Sequence, residues 1–178
     1  MELQQRFTIG NETELEELID RYGEKLLRYA TSILYSHQDA EDAVQDVFLR
    51  AYLNRCEFDG QNLSAWLYKI TYNCCLDKLK ARSRRKLLFF GDIKEEPTYM
   101  EDSFSMPEIM DALKGLNPQE RALLYGRVMN GHSYDELSQI MGTSPAALRK
   151  QYERAKKKAA RCLNDYGYTV KGAIYNEA

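Results

Sequence analysis

Apolar residues along this chain recur at helical spacing almost from end to end. Leu15, Leu18, Ile19, Tyr22, Leu26, Tyr29 and Ile33 fall at three- and four-residue steps, the mark of an amphipathic helix, here following Asn11. A second helix is predicted from Gln38 to Asn54, with the apolar stripe Ala40, Ala43, Val44, Val47, Phe48 and Ala51. Its other side carries Asp39, Asp42 and Asp46, which share a face at i, i+3 and i+7. A third, longer helix starts at Asn62, a residue type suited to an N-cap, and buries Leu63, Leu67, Ile70 and Cys74. At about 100° per residue, Trp66, Lys69, Asn73, Lys80 and Arg84 fall within an arc of about 60° beside that stripe.

From Lys86 to Met106 the helical period is lost. Gly91, Pro97 and the acids Asp92, Glu95, Glu96, Glu101 and Asp102 mark a linker. Beyond it the chain is sharply punctuated. Asn117-Pro118-Gln119-Glu120 supplies an N-cap, a proline at the first helical position and an acid three residues on. Ser133-Tyr134-Asp135-Glu136 is a second capping box, opening a short helix that stops before Gly142. Ser144 then caps a long basic helix. Leu148, Tyr152, Ala155, Ala159 and Cys162 lie on one side of that helix, and Arg149, Lys150, Glu153, Arg154, Lys157 and Arg161 on the other. A short helix, a glycine turn and a longer basic helix make a helix-turn-helix.

The pattern therefore predicts an all-α chain of two small helical domains. An N-terminal unit spans 1–86, a flexible acidic linker 87–106, and a C-terminal helix-turn-helix unit 107–178. Units of this size can each fold as helical domains.

Charge sharpens the picture. The 178 residues carry a formal net charge of −2, but its distribution is uneven. Residues 1–60 carry net −7, 61–85 net +5, 86–110 net −4, 111–148 net −1 and 149–178 net +5. Two separated basic patches suit a nucleic-acid backbone. The slight overall negative charge predicts weak DNA binding until a partner masks the acidic face. Ordinary solvated helix surface is the competing reading of the same charges.

Other classes recede. The composition, 44% apolar and 29% charged, is globular. The apolar stretches, such as Leu87 to Phe90, are far too short to cross a membrane, and the first residues do not read as a secretory signal. The expected compartment is the cytoplasm. Cys56, Cys74, Cys75 and Cys162 form no C-x-x-C pair, and only His37 and His132 could join them. The cysteines read as small apolar fillers rather than metal ligands or a disulfide framework, and both histidines fall in turns with no assigned role. No phosphate-binding glycine loop or zinc-binding H-E-x-x-H is present. No catalytic residue, metal, cofactor or small-molecule substrate is expected.

Three segments resemble a known family. Asp39 to Tyr52 resembles the polymerase-binding helix of bacterial RNA polymerase sigma factors of the extracytoplasmic-function group. Phe58 to Ile70, with Asn73, Asp77 and the basic run to Arg85, resembles that family's promoter-melting and minus-ten segment. Leu116 to Arg121, Tyr134 to Leu137, and Arg154 to Lys156 resemble its C-terminal domain. The resemblance implies a factor that binds core RNA polymerase and promoter DNA, is not itself a membrane protein, and is held by an anti-sigma protein. It assigns polymerase binding to Asp39, Asp42, Gln45, Asp46 and Leu49. It assigns the minus-ten element to Asn62, Ser64, Trp66, Lys69, Asn73, Lys80 and Arg84, and the minus-thirty-five element to Ser144, Ala146, Arg149, Lys150, Glu153, Arg154 and Lys157. The last helix, Pro145 to Tyr152, departs from the family's usual run, so the target sequence does not transfer. An autonomous helix-turn-helix regulator would explain the last helix alone. A helical enzyme with a carboxylate metal site would explain only the acids of the second helix.

Overall fold

The computed structural model describes residues 12–89 and 106–165. Within them the regular elements are helical: α1 (Glu12–Leu34), α2 (His37–Leu53), a 3₁₀ turn (Arg55–Glu57), α3 (Leu63–Phe89), α4 (Met106–Leu113), α5 (Pro118–Val128), α6 (Tyr134–Met141) and α7 (Pro145–Asp165). The expected Asn11 cap, the acidic linker from 90 to 105 and the tail from 166 lie outside the described residues.

Local chemistry sets the boundaries. Helix α1 stops where Tyr35 turns left-handed at φ 57, a conformation that costs a residue with a Cβ about 1–2 kcal/mol. Ser36 then caps α2, its hydroxyl accepting from the Asp39 amide at 3.2 Å. Asn62 caps α3, its Oδ1 accepting from the Ala65 amide at 2.9 Å. That helix runs to Phe89, past the point where the apolar period fades, because Lys86 and its neighbours are good helix formers even without a buried stripe. Asn117 and Glu120 cap α5 reciprocally, and Ser133 and Glu136 do the same for α6. Gly142, at φ 67, closes α6 in the left-handed region where glycine is unstrained. Helix α4 is an element the periodicity did not predict. Its eight residues begin with Met106-Pro107, and among its described side chains Met110 and Leu113 are buried.

The first unit packs α1, α2 and α3 around Leu18, Leu26, Ile33, Val47, Phe48 and Leu67. The second packs α4 to α7, with Leu123, Leu137 and Leu148 at the heart of the helix-turn-helix. Helices α1 and α3 also lie against α5 and α6, so a single buried cluster runs through both units. Tyr29 sits fully buried at this seam, edge-on to Tyr68 at 5.1 Å and tilted against Tyr125 at 6.3 Å. Beside the seam, Gly126 lets α5 and α6 come close: a Cβ there would meet Leu137 at 3.0 Å, while Tyr29 across the seam lies at an ordinary 3.9 Å.

Polar contacts finish the seam. Arg121 on α5 donates to the Ile33 carbonyl at the end of α1, and its guanidinium lies 4.6 Å above the Tyr35 ring. The Tyr35 hydroxyl donates to the Met110 carbonyl. Asn62 donates to Glu136 at 3.2 Å.

The cysteines divide. Cys74 and Cys75 are buried fillers as expected, and burial pushes the Cys75 thiol up to about 12. Cys162 is half-buried, with its sulfur against Gly115. Cys56 corrects the expectation: it is exposed, because the 3₁₀ turn that carries it buries none of its residues.

Candidate nucleic-acid and polymerase interfaces

Helix α2 buries its alanine–valine stripe and turns Asp42, Gln45, Asp46 and Leu49 to solvent; Asp39 is half-exposed. Leu49 is 58% exposed and Leu53 65%. Two open leucines one turn apart beside carboxylates form a surface with an apolar anchor and a polar rim, the anatomy of a protein-binding site. The sequence reading missed Leu53. The spacing Asp46, Leu49, Leu53 continues one face and was the available signal. The acids are not all unengaged. Asp42 lies 3.9 Å from Lys78 and Asp39 3.7 Å from Arg82, both cations reaching across from α3. The pairs are long, at 3.7 and 3.9 Å, and their carboxylates are open to solvent, so they hold the acids only weakly. Asp46, with Gln45 and the leucines, is the centre of the surface.

On α3, Lys69, Asn73, Lys80 and Arg84 are all exposed, and Trp66 is half-buried, its ring 5.3 Å from Phe58. The tryptophan is thus shared between core and surface. Lys80 and Arg84 also line an open groove of about 680 Å³ between α3 and the start of α5, floored by Leu76, Leu79 and Pro118. Ser64 is half-buried. Asn62 stands apart from the others. Its oxygen caps α3 and its amide nitrogen is held by Glu136, so in this arrangement both ends of the side chain are engaged.

On α7, Ser144, Ala146, Arg149, Lys150, Glu153, Arg154 and Lys157 are all exposed along one side, while Leu148, Ala155 and Ala159 are buried on the other. Ser144 caps the helix loosely, at 3.4 Å from the Ala147 amide. Tyr134 was missed by the sequence reading. Its ring lies under two guanidinium groups, Arg127 at 5.2 Å and Arg149 at 5.0 Å, and meets Tyr152 edge-on at 6.2 Å. Cation–π contacts of this kind hold an arginine in place ahead of binding. The signal was the position of Tyr134 directly after the capping serine, where its ring leaves the short helix toward the longer one. Lys158 does not belong to the reading face: it pairs with Glu120 of α5.

Two carboxyls are held below their usual range. At Glu136 the Ser133 amide bond leads, opposed by burial and aided by the Ser133 hydroxyl and Asn62. At Glu120 burial pushes upward but is outweighed by Lys158 and the Asn117 amide. Among the described residues no cluster of histidine, cysteine and carboxylate side chains could hold a metal ion, and no helix is long and apolar enough to cross a membrane.

Residues 18–85 match the family Sigma-70 region 2, and residues 107–158 match Sigma-70, region 4. The chain is a sigma factor of the extracytoplasmic-function group. It is 28% identical over 174 residues to the ECF RNA polymerase sigma factor BldN of Streptomyces coelicolor, covering 93% of this chain and 66% of that protein. It is 27% identical over 158 residues to the ECF RNA polymerase sigma factor SigM of Mycobacterium tuberculosis, covering 86% of this chain and 79% of that one. Its fold is similar to that of the sigma factor RpoE of Bartonella quintana, solved in complex with the anti-sigma factor NepR. The TM-score is 0.76 and the identity 24%, over 84% of this chain and 96% of that one. The two matched regions meet this sigma factor's two units: α1 to α3 carry region 2, and α4 to α7 carry region 4.

Proposed function

We propose that this sigma factor binds core RNA polymerase through α2, holds the minus-ten element on α3 and reads the minus-thirty-five element with α7. The observation that carries this reading is the segregation of charge onto three exposed helix faces. A carboxylate face with two open leucines suits a basic, apolar protein groove. An aromatic beside an amide and cations suits unstacked bases and their phosphates. Cations running down a helix-turn-helix recognition helix suit the major groove and its backbone. Asp46 and Leu49 anchor the docking face, with Leu53 added to the set. Lys69, Asn73, Lys80 and Arg84 make the minus-ten contacts together with Trp66 and Ser64. Asn62 joins them once its tie to Glu136 is released. Arg149 and Lys150, near the start of α7, meet base edges. Arg154 and Lys157 meet phosphates.

The chain is not an enzyme: the polymerase performs the chemistry, and the sigma factor selects where it begins. It works in the cytoplasm, where that enzyme works. The likeness to a sigma factor solved with its anti-sigma factor supports an anti-sigma protein as a further partner. The test is run-off transcription with core polymerase and a promoter library. Addition of the chain should yield transcripts from a defined promoter class, while the chain alone binds the same duplexes weakly. Tight, specific duplex binding by the isolated chain, without transcripts on adding core, would identify an autonomous regulator instead.

A further inference from the structure

His132 lies in the loop joining α5 to α6 and is only 6% exposed. Its backbone is fixed from both sides, the amide donating to the Gly126 carbonyl at 3.1 Å and the carbonyl accepting from Arg127 at 3.2 Å. Its ring crosses the seam and meets Tyr68 of α3 edge-on, with the centroids 4.5 Å apart. The ring nitrogen Nε2 is buried there with no hydrogen-bond partner, as are the Tyr29 hydroxyl and the Asn130 amide nitrogen. A buried polar atom without a partner costs about 1–3 kcal/mol. A core meant to stay shut rarely contains several of them. Two of these, on His132 and Tyr29, lie at the contact between the two units, where opening would expose them to water.

We propose that His132 is a proton-operated wedge: when Nε2 takes up a proton from solvent, the two units part along the Tyr29–Tyr68–Tyr125 seam while each keeps its own helices. The groups around the ring allow little compensation. Helix α1 presents Tyr29 and α3 presents Tyr68, both kept neutral because burial pushes their hydroxyls up. Helix α5 presents Tyr125, also raised by burial, and Arg127, a second cation that is engaged with the His132 carbonyl. Helix α6 presents Glu136, the one acid that favours the protonated ring; its oxygens are already committed to Ser133 and Asn62. Burial outweighs the pull of Glu136 and lowers the affinity of His132 for a proton in the closed form.

The sign follows. A base whose closed-state pKa is depressed supports closure fully above its open-state value, near about 6.5. That support is lost as pH falls below it, by up to about tenfold in the closed-to-open ratio per pH unit until the closed-state value is reached. Glu120 and Glu136 titrate below the ordinary carboxylate range, so their loss falls in a separate, more acidic window. Release of the seam also frees Asn62 from Glu136.

The experiment is small-angle scattering on the full chain from pH 8 to pH 5, with far-ultraviolet circular dichroism on the same samples. The radius of gyration should stay at its compact value down to pH 7, then rise between about pH 6.5 and 5 with helicity unchanged. His132→Phe, which keeps a ring but takes no proton, should remain compact throughout; His132→Gln serves the same comparison if the phenylalanine variant loses helicity. His132→Arg should be expanded already at pH 8. The proposal fails if the wild-type chain is extended at pH 8 or stays compact at pH 5. It fails equally if the uncharged variant expands with the wild-type midpoint, or if helicity falls together with compaction. None of these readouts involves polymerase or DNA, so they stand or fall independently of the promoter-reading assignment.

Discussion

The two units present their proposed nucleic-acid faces very differently. On α7 every residue assigned to the minus-thirty-five element is exposed, and Arg149 is held in place by stacking on Tyr134. On α3 the face is split: Lys69, Asn73, Lys80 and Arg84 are open, Trp66 is half in the core, and Asn62 is tied to the other unit. One reading surface is complete in the closed chain and the other is not. The difference follows from where the seam lies. It crosses the start of α3 and the capping box of α6, yet leaves the outer side of α7 untouched. Closure therefore restrains the unit proposed to open a duplex far more than the unit proposed to read one.

Substitutions can break or sharpen that contrast. The largest effect is expected at Tyr29, which both units bury. Tyr29→Ala should cost about 3–5 kcal/mol in denaturant unfolding, the range for emptying a large aromatic site, and should make the two units unfold in separate steps. A single unshifted transition would show that the seam contributes nothing. Next comes the docking face, which lies away from the seam. Leu49→Ala with Leu53→Ala should weaken capture by core polymerase by on the order of 2 kcal/mol, with unfolding nearly unchanged, as both side chains are already in water.

Smaller effects separate the two reading faces. Arg149→Ala should cost about 1–3 kcal/mol in promoter binding by the assembled polymerase and relax one position if it meets a base. A uniform loss with a shallower salt dependence would assign it to phosphate instead. Asn62→Ala removes a helix cap and a seam bond together and should destabilise the chain by about 1 kcal/mol. Its duplex binding through α7 should stay at the wild-type level, and a matching loss there would contradict the independence of the two faces.

Much of this was legible in the residues. The paired caps Asn117/Glu120 and Ser133/Glu136 announce α5 and α6 because reciprocal capping is local chemistry, readable from four positions. The division of α7 follows from period alone. The seam was not legible. Tyr29, Tyr68 and Tyr125 read as ordinary stripe residues of three helices, since periodicity says which side is buried but not against what. His132 was placed in a turn without a role, because a turn is normally exposed. Its burial depends on tertiary packing, including the approach of Tyr68 from α3. Leu53 escaped for the opposite reason: an apolar side chain is assumed to point inward until the neighbours that should bury it are found elsewhere.

Gly126 shows how finely the join is set. An alanine there would stiffen α5, where glycine is a weak helix former, and would at the same time press a methyl against Leu137 like a shim in a hinge. The same atom that stiffened one helix would push its neighbour Leu137 aside within the second unit, while toward Tyr29 across the join it would find room at 3.9 Å. The packing of the second unit is thus tuned at a position that has no side chain.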